Sequence, residues 1–150
     1  MERASKQQLA EWAKAAAGGG YLGLLERLLA HGAPVDVHVN GPTAIGAAAM
    51  NGQLEALRLL LAAPGGEAAV NQQSGGVGST ALAVAALGGC TAEARLLLQH
   101  GADPNLADND GNSPLICAAM ASGDAGRGVA ALLLDAEAEI DHQSLSLIHI

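Results

Sequence analysis

Residues 80–105 decide the fold, and they read TALAVAALGGCTAEARLLLQHGADPN. The stretch opens on a hydroxyl residue, Thr80, which is a favoured helix N-cap, and continues as a short alanine-rich run that ends at Gly88 and Gly89. A second apolar run carries a leucine triplet and stops before Gly101, a residue suited to a left-handed C-cap. The pattern predicts two short helices, Ala81–Leu87 and Thr91–Gln99, joined by a turn.

The same pattern recurs along the chain. The hydroxyl residue returns at Thr43 and Ser113, and leucine triplets return at residues 59–61 and 132–134. Pro114 follows Ser113 at the first helical position, where a missing N–H costs nothing. The first unit keeps only the second half of the pattern, up to Asp36, as is typical of a terminal repeat that faces water. The chain is therefore predicted to be a row of helix pairs that share one core.

These segments resemble the ankyrin repeat family, whose units read Thr-Pro-Leu-His, Ala-Ala, Gly, Leu-Leu-Leu and Gly-Ala-Asp-x-Asn with a period of 33. The resemblance implies an all-α fold, a solenoid of stacked helix-turn-helix units with short hairpin-like loops. We predict one domain over residues 1–143, with repeats at approximately 5–36, 39–71, 76–105 and 109–141.

The sequence departs from the family pattern in its tetrapeptide, in its spacing and at its end. Gly46, Ala83 and Ile116 replace the histidine of the tetrapeptide, and a glycine inside a helix costs roughly 1 kcal/mol against alanine, so a weakly stable domain is expected. Extra residues are predicted in the loop at 64–67 and in an enlarged turn at 122–126. Residues 145–150 read like a translated sequencing adapter, so 144–150 are expected to be a non-native tail of a truncated gene.

The composition of the chain limits the classes of partner that it is expected to bind. The chain carries 15 acidic and 7 basic residues, a net charge of −8 with histidine neutral, which argues against nucleic-acid and anionic-membrane partners. No signal peptide or membrane span is visible, so a cytoplasmic or nuclear monomer is expected. Cys90 and Cys117 are too far apart in sequence for a redox or zinc motif and are interpreted as reduced packing residues.

The chain offers no convincing set of catalytic or ligand-binding residues. Residues 74–80 are glycine-rich like a phosphate loop, but Ser79 occupies the place of the required lysine. The five histidines lack zinc-site spacing, and His31 and His100 are placed where a helix C-terminus favours partial positive charge. We therefore predict no enzyme activity, no cofactor and no bound metal.

The resemblance implies that a partner protein binds at the loop tips and the exposed face of the first helices. Met50, Leu87 and Met120 each follow their own hydroxyl residue by seven positions, so they would form an apolar ladder. The alternatives are that these three pack between helices, and that turn residues such as Asn109 and Asp110 only serve backbone geometry. The predicted partner-binding residues are Val39, Asn40, Pro42, Met50, Asn51, Val77, Ser79, Leu87, Asn109, Asp110, Asn112 and Met120.

The predicted function is a protein–protein interaction module, a scaffold or adaptor that works by surface complementarity. The alternative is a regulatory repeat segment of a larger enzyme or channel whose active domain is missing from this sequence. Because ankyrin surfaces are adapted case by case, the residues do not identify the partner.

Overall fold

The computed structural model describes residues 4–36, 41–121 and 123–148, with side chains described as far as residue 136. Helices account for most of these ranges, and extended pairing within them is limited to an isolated antiparallel bridge between Ser74 and Ser79. The helices are α1 (Lys6–Gly19), α2 (Leu22–Ala30), α3 (Ala44–Met50), α4 (Leu54–Ala62), α5 (Gly66–Ala69), α6 (Ala81–Leu87), α7 (Thr91–Gln99), α8 (Pro114–Met120) and α9 (Asp124–Ile148).

The helices are stacked in two rows. The first row runs α1, α3, α6, α8, with each helix packed on the next, and the second runs α2, α4, α7, α9. Within a unit the two helices also contact each other, as α6 and α7 do. This arrangement confirms the predicted all-α solenoid, and α6 and α7 begin and end at the predicted residues.

Hydroxyl side chains begin the first-row helices as predicted. The Thr43 Oγ1 accepts the Gly46 amide at 3.0 Å, and the Thr80 Oγ1 accepts the Ala83 amide at 3.1 Å. Ser113 caps α8 in the same way, and Pro114 follows it at the first turn. Each cap satisfies a backbone N–H that the helix itself leaves unpaired, which fixes where these short helices start.

The first unit begins with a cap that the sequence analysis missed. Ser5 accepts the Gln8 amide at 3.2 Å, and the Gln8 side chain accepts the Ser5 amide at 2.9 Å, a reciprocal capping box. Helix α1 is consequently 14 residues long, twice the length of the other first-row helices. Its Trp12 side chain is half exposed.

The core is a continuous seam of leucine and alanine that crosses every unit. Burying a leucine side chain is worth about 1.5–3 kcal/mol, so packing between neighbours stabilises helices that would be marginal alone. The largest fully buried aliphatic side chains are Leu25, Val35, Ile45, Leu57, Leu60, Leu82, Leu97, Val129 and Leu133.

The predicted enlarged turn at residues 122–126 is wrong for residues 124–126, because α9 begins at Asp124, and residue 122 lies outside the described residues. Gly126 lies inside the first turns of that helix rather than in a loop. A Cβ at this position would lie 2.5 Å from the Ala118 carbonyl oxygen and 3.0 Å from the Ala121 Cβ. The glycine therefore serves close packing of α9 against α8, a role that composition alone does not distinguish from a turn.

The extra residues after α4 form the short helix α5, which begins behind Gly65 in the left-handed region (φ 84°). At the other end of the chain, α9 includes residues 144–148, and their assignment to a non-native tail stays a prediction. Among the described helices, none combines the length and apolar character that a membrane span requires.

Candidate functional site

The candidate site is the exposed side of the first-row helices α3, α6 and α8. Met50, Leu87 and Met120 are the last residues of these helices, and their exposed fractions are 46%, 51% and 55%. The interpretation that they are core residues is therefore wrong. Because the three helices are stacked side by side, the three side chains form a row, called here the apolar ladder.

The helices that carry the ladder contain no charged residue. Their sequences are AIGAAAM, ALAVAAL and PLICAAM. Ile116 and Val77 add to the apolar surface, with 44% and 48% of their area exposed. Exposed apolar area on rigid helices without charges is a feature of recognition surfaces.

Two loops precede α6 and α8 and contact each other; the first of them shares a groove with Met50. The first loop closes through reciprocal backbone hydrogen bonds between Ser74 and Ser79, both 3.0 Å long. The Asn109 amide of the second loop donates to the Val77 carbonyl at 2.8 Å. Gly78 has a φ of 67°, and a Cβ there would approach the Asn109 side chain to 2.8 Å, so a glycine permits this contact.

Asp108 organises the second loop. Its Oδ1 accepts the backbone amides of Asn112 and Asp110, both at 2.9 Å. These hydrogen bonds, the one from Asn112 foremost, lower the pKa of the Asp108 carboxyl below its ordinary value because they stabilise the charged form. The Asp108 carboxylate therefore stabilises its own loop, whereas Asp110 at the loop tip is exposed.

Four of the predicted partner-binding residues come together around one groove. Pro42, Met50, Val77 and Ser79 line a depression of about 130 Å³ between α3, α6 and the first loop. The remaining lining residues, which the sequence analysis did not select, are Gly46, Ser74, Gly75, Thr80, Ala81 and Val84. The missing side chain at Gly46 is the sequence signal for this groove. A glycine within a helix is otherwise expected only to lower stability.

The other predicted residues have mixed surroundings. Leu87 and Met120 belong to the ladder, and Asp110 is exposed at a loop tip. The Asn51 side chain donates to the Gly18 carbonyl at 3.1 Å, and Asn112 is half-buried against Asp108, so both also have structural contacts. Val39 and Asn40 lie outside the described residues. Participation of all these residues in partner binding stays a prediction.

The described residues offer few groups suited to metal binding or nucleophilic catalysis. Over the described ranges, no cluster of three or more His, Cys, Asp or Glu side chains is arranged to hold a metal ion. Both cysteines are free thiols. Burial raises the pKa of the Cys117 thiol, and burial together with the nearby Glu93 charge raises that of Cys90, so neither is activated as a thiolate.

Comparison with known proteins agrees with the architecture. The family model described as "Ankyrin repeats (3 copies)" matches residues 13–108 and 62–144, which together span most of the chain. This chain belongs to the ankyrin repeat family. Ankyrin repeats are generally protein–protein interaction modules and are typically non-catalytic.

The ankyrin repeats of this chain are also similar to part of a curated relative. They are 37% identical over 105 residues to the ankyrin repeat and KH domain-containing protein mask-1 of Caenorhabditis elegans. The match covers 68% of this chain but 4% of the relative. The chain therefore corresponds to a small part of that protein's length.

Proposed function

We propose that this ankyrin repeat domain is a non-catalytic module that binds a partner protein through the apolar ladder and the two loops that precede α6 and α8. The observation that carries the proposal is the exposure of Met50, Leu87 and Met120 in one row on helices without charged residues. Removing such a row from water is favourable by roughly 25 cal/mol for each Å² of apolar area.

The composition of the surface supports binding to a protein rather than to a small molecule. Two of the three ladder residues are methionines, whose unbranched side chains adapt to irregular partner surfaces. Polar loop tips border the ladder, and an apolar centre with a polar rim is typical of protein interfaces.

The rigidity of the scaffold favours affinity. Alanines of α3 and α6 that lie behind the ladder are buried in the shared core, and the two loops are joined through the hydrogen bond from Asn109 to Val77. A surface that is ordered before binding loses less conformational entropy when the partner arrives. The same fold therefore stabilises the domain and prepares the binding face.

The test is affinity capture from cell extract followed by mass spectrometry. The double variant Met50→Asp and Leu87→Asp places two charges in the ladder, and we expect it to lose the proteins that the unmodified chain captures. The matched control is Leu24→Asp with Leu134→Asp, which changes two leucines of similar exposure on α2 and α9. It should capture the same proteins as the unmodified chain.

Circular dichroism distinguishes loss of binding from loss of fold. Both double variants are expected to keep the helical signal, because all four residues are about half exposed. Equal capture by the two double variants would exclude the ladder as the binding face.

A further inference from the structure

We infer that the groove beside Gly46 is an anchoring pocket for one branched aliphatic side chain, leucine, isoleucine or valine, of a partner peptide segment that carries a lysine or arginine a few residues away. The inference rests on the proposed function and deepens it, because it specifies the chemistry of the partner at one point of the binding face.

The pocket exists because Gly46 has no side chain. A Cβ built there would meet the Pro42 Cβ at 3.2 Å and the Thr43 Oγ1 at 3.5 Å, with no other contact within 4 Å. The residues at the equivalent position in the next two units are Ala83, which is buried, and Ile116, which projects an exposed side chain. The space is therefore a local property of the junction between α3 and α6.

Its size suits a single aliphatic side chain. The volume is about 130 Å³, which is smaller than the apolar cavity of about 150 Å³ that is known to admit benzene. A branched aliphatic group fills such a space while the peptide backbone stays outside. A larger aromatic system such as indole would have to displace Met50 or Val84.

The lining excludes charged side chains. Apolar atoms come from Pro42, Met50, Val77, Ala81 and Val84, and the polar contribution is limited to hydroxyls and backbone. The Thr80 hydroxyl already accepts the Ala83 amide. A charged group inserted here would lose its hydration without gaining a counter-ion, which is strongly unfavourable.

A negatively charged side chain, Asp110, lies on the loop that contacts the pocket rim. Val77 lines the pocket and accepts the Asn109 amide at 2.8 Å, so the loop that carries Asp110 is fixed beside the pocket rim. Within the described residues the Asp110 carboxylate has no hydrogen-bond or ion-pair partner, in contrast to Asp108. A basic residue near the aliphatic anchor would pair with it, and the net charge of −8 attracts a basic segment over a longer range.

The experiment uses a phage-displayed library of random 12-residue peptides selected on the full chain. We expect the selected peptides to share one leucine, isoleucine or valine with a lysine or arginine within a few positions. Replacing that aliphatic residue by alanine should weaken binding about tenfold, as should Gly46→Leu in the protein, because either change removes the burial of the anchor. A consensus of acidic or aromatic residues would overturn the inference.

Two further variants keep the test decisive if Gly46→Leu folds poorly. Val77→Ser removes apolar area from an exposed loop residue at the rim and should weaken the peptides several-fold, without adding a carboxylate that could pair with their basic residue. Asp110→Asn should weaken them a few-fold at low salt and less at high salt, whereas Asp135→Asn, an exposed aspartate on α9, should have no effect.

The outcomes separate this inference from the proposed function. Peptides that lose affinity with Leu87→Asp but retain it with Gly46→Leu and Val77→Ser would support the binding face and overturn the pocket. Peptides that lose affinity with the pocket variants, and compete with the captured partner protein, would support both.

Discussion

The side chain of Asn71 holds the backbone of Asp103 in the following repeat. Its Oδ1 accepts the Asp103 amide at 2.7 Å, and its Nδ2 donates to the Gly101 carbonyl at 3.0 Å. The next two residues continue the pattern, because the Gln72 Nε2 donates to the Asp36 carbonyl and the Gln73 Nε2 to the Ala107 carbonyl, both at 2.8 Å. Three consecutive carboxamides thus connect the second unit to both neighbours, in addition to the leucine seam.

Asn71→Ala should lower the free energy of unfolding by about 1–3 kcal/mol, because it leaves the Asp103 amide and the Gly101 carbonyl without their partner. Partial solvent access at this site favours the lower end of that range. Urea unfolding followed by circular dichroism measures the change. Gln99→Ala is the control, since Gln99 is exposed and its side chain forms no hydrogen bond within the described part of the chain. Equal unfolding midpoints for the two variants would contradict the role of Asn71.

Gly78→Ala should destabilise the domain more than Gly111→Ala. Both glycines have a positive φ, 67° and 81°, so each substitution carries the cost of a left-handed alanine, about 1 kcal/mol or more. At Gly78 the new Cβ would also approach the Asn109 side chain to 2.8 Å, whereas at Gly111 no atom lies within 4 Å. The difference between the two unfolding free energies measures the contact between the loops, and a zero difference would show that the Asn109 side chain simply moves aside.

The helix pairs could be predicted from sequence because their signals are local. The caps at Thr43, Thr80 and Ser113 and the positive φ of Gly101 each depend on a few neighbouring residues. The exposure of Met50 could be proposed but not decided, because a position seven residues after a cap does not show whether the next helix covers it.

What the sequence did not reveal depends on contacts between units. Asn71 pairs with residues 30 and 32 positions away, and nothing in its own neighbourhood marks it as a connector. Gly126 and Gly46 illustrate the same limit for glycine. Gly126 allows α8 and α9 to approach closely, and Gly46 leaves a groove open. From sequence alone, both glycines are expected only to weaken or end a helix.

The loop at residues 108–112 should keep its structure at pH values somewhat below ~3.9, the ordinary pKa of aspartate. Amide donors from Asn112 and Asp110 lower the pKa of the folded Asp108 carboxyl, so its contribution to stability is present above the unfolded pKa and is lost as the pH falls through the folded one. The amide resonance of Asn112 should titrate with a midpoint below ~3.9. Asp108→Asn should abolish that titration, and a midpoint at or above the ordinary value would contradict the assignment.

Thr80→Val should cost about 1–2 kcal/mol of unfolding free energy, because it removes the hydroxyl that accepts the Ala83 amide while preserving the buried shape. Thr91→Val is the matched control, since Thr91 begins α7 and its hydroxyl forms no hydrogen bond with any described residue. Hydrogen exchange should show the Ala83 amide losing protection in Thr80→Val alone. Unchanged protection there would mean that another group caps α6.

Two leucines on α6 test which side of the helix belongs to the core. Leu82 is fully buried, whereas 51% of the Leu87 area is exposed. Leu82→Ala should therefore lower the free energy of unfolding by about 2–5 kcal/mol, and Leu87→Ala should change it by less than ~0.5 kcal/mol, because only the first substitution leaves a cavity. Both variants keep the helix propensity of α6 nearly the same, since alanine replaces leucine in each. Urea unfolding measures both changes. A large decrease in the free energy of unfolding for Leu87→Ala would show that this ladder residue belongs to the core and would contradict its role in a binding face.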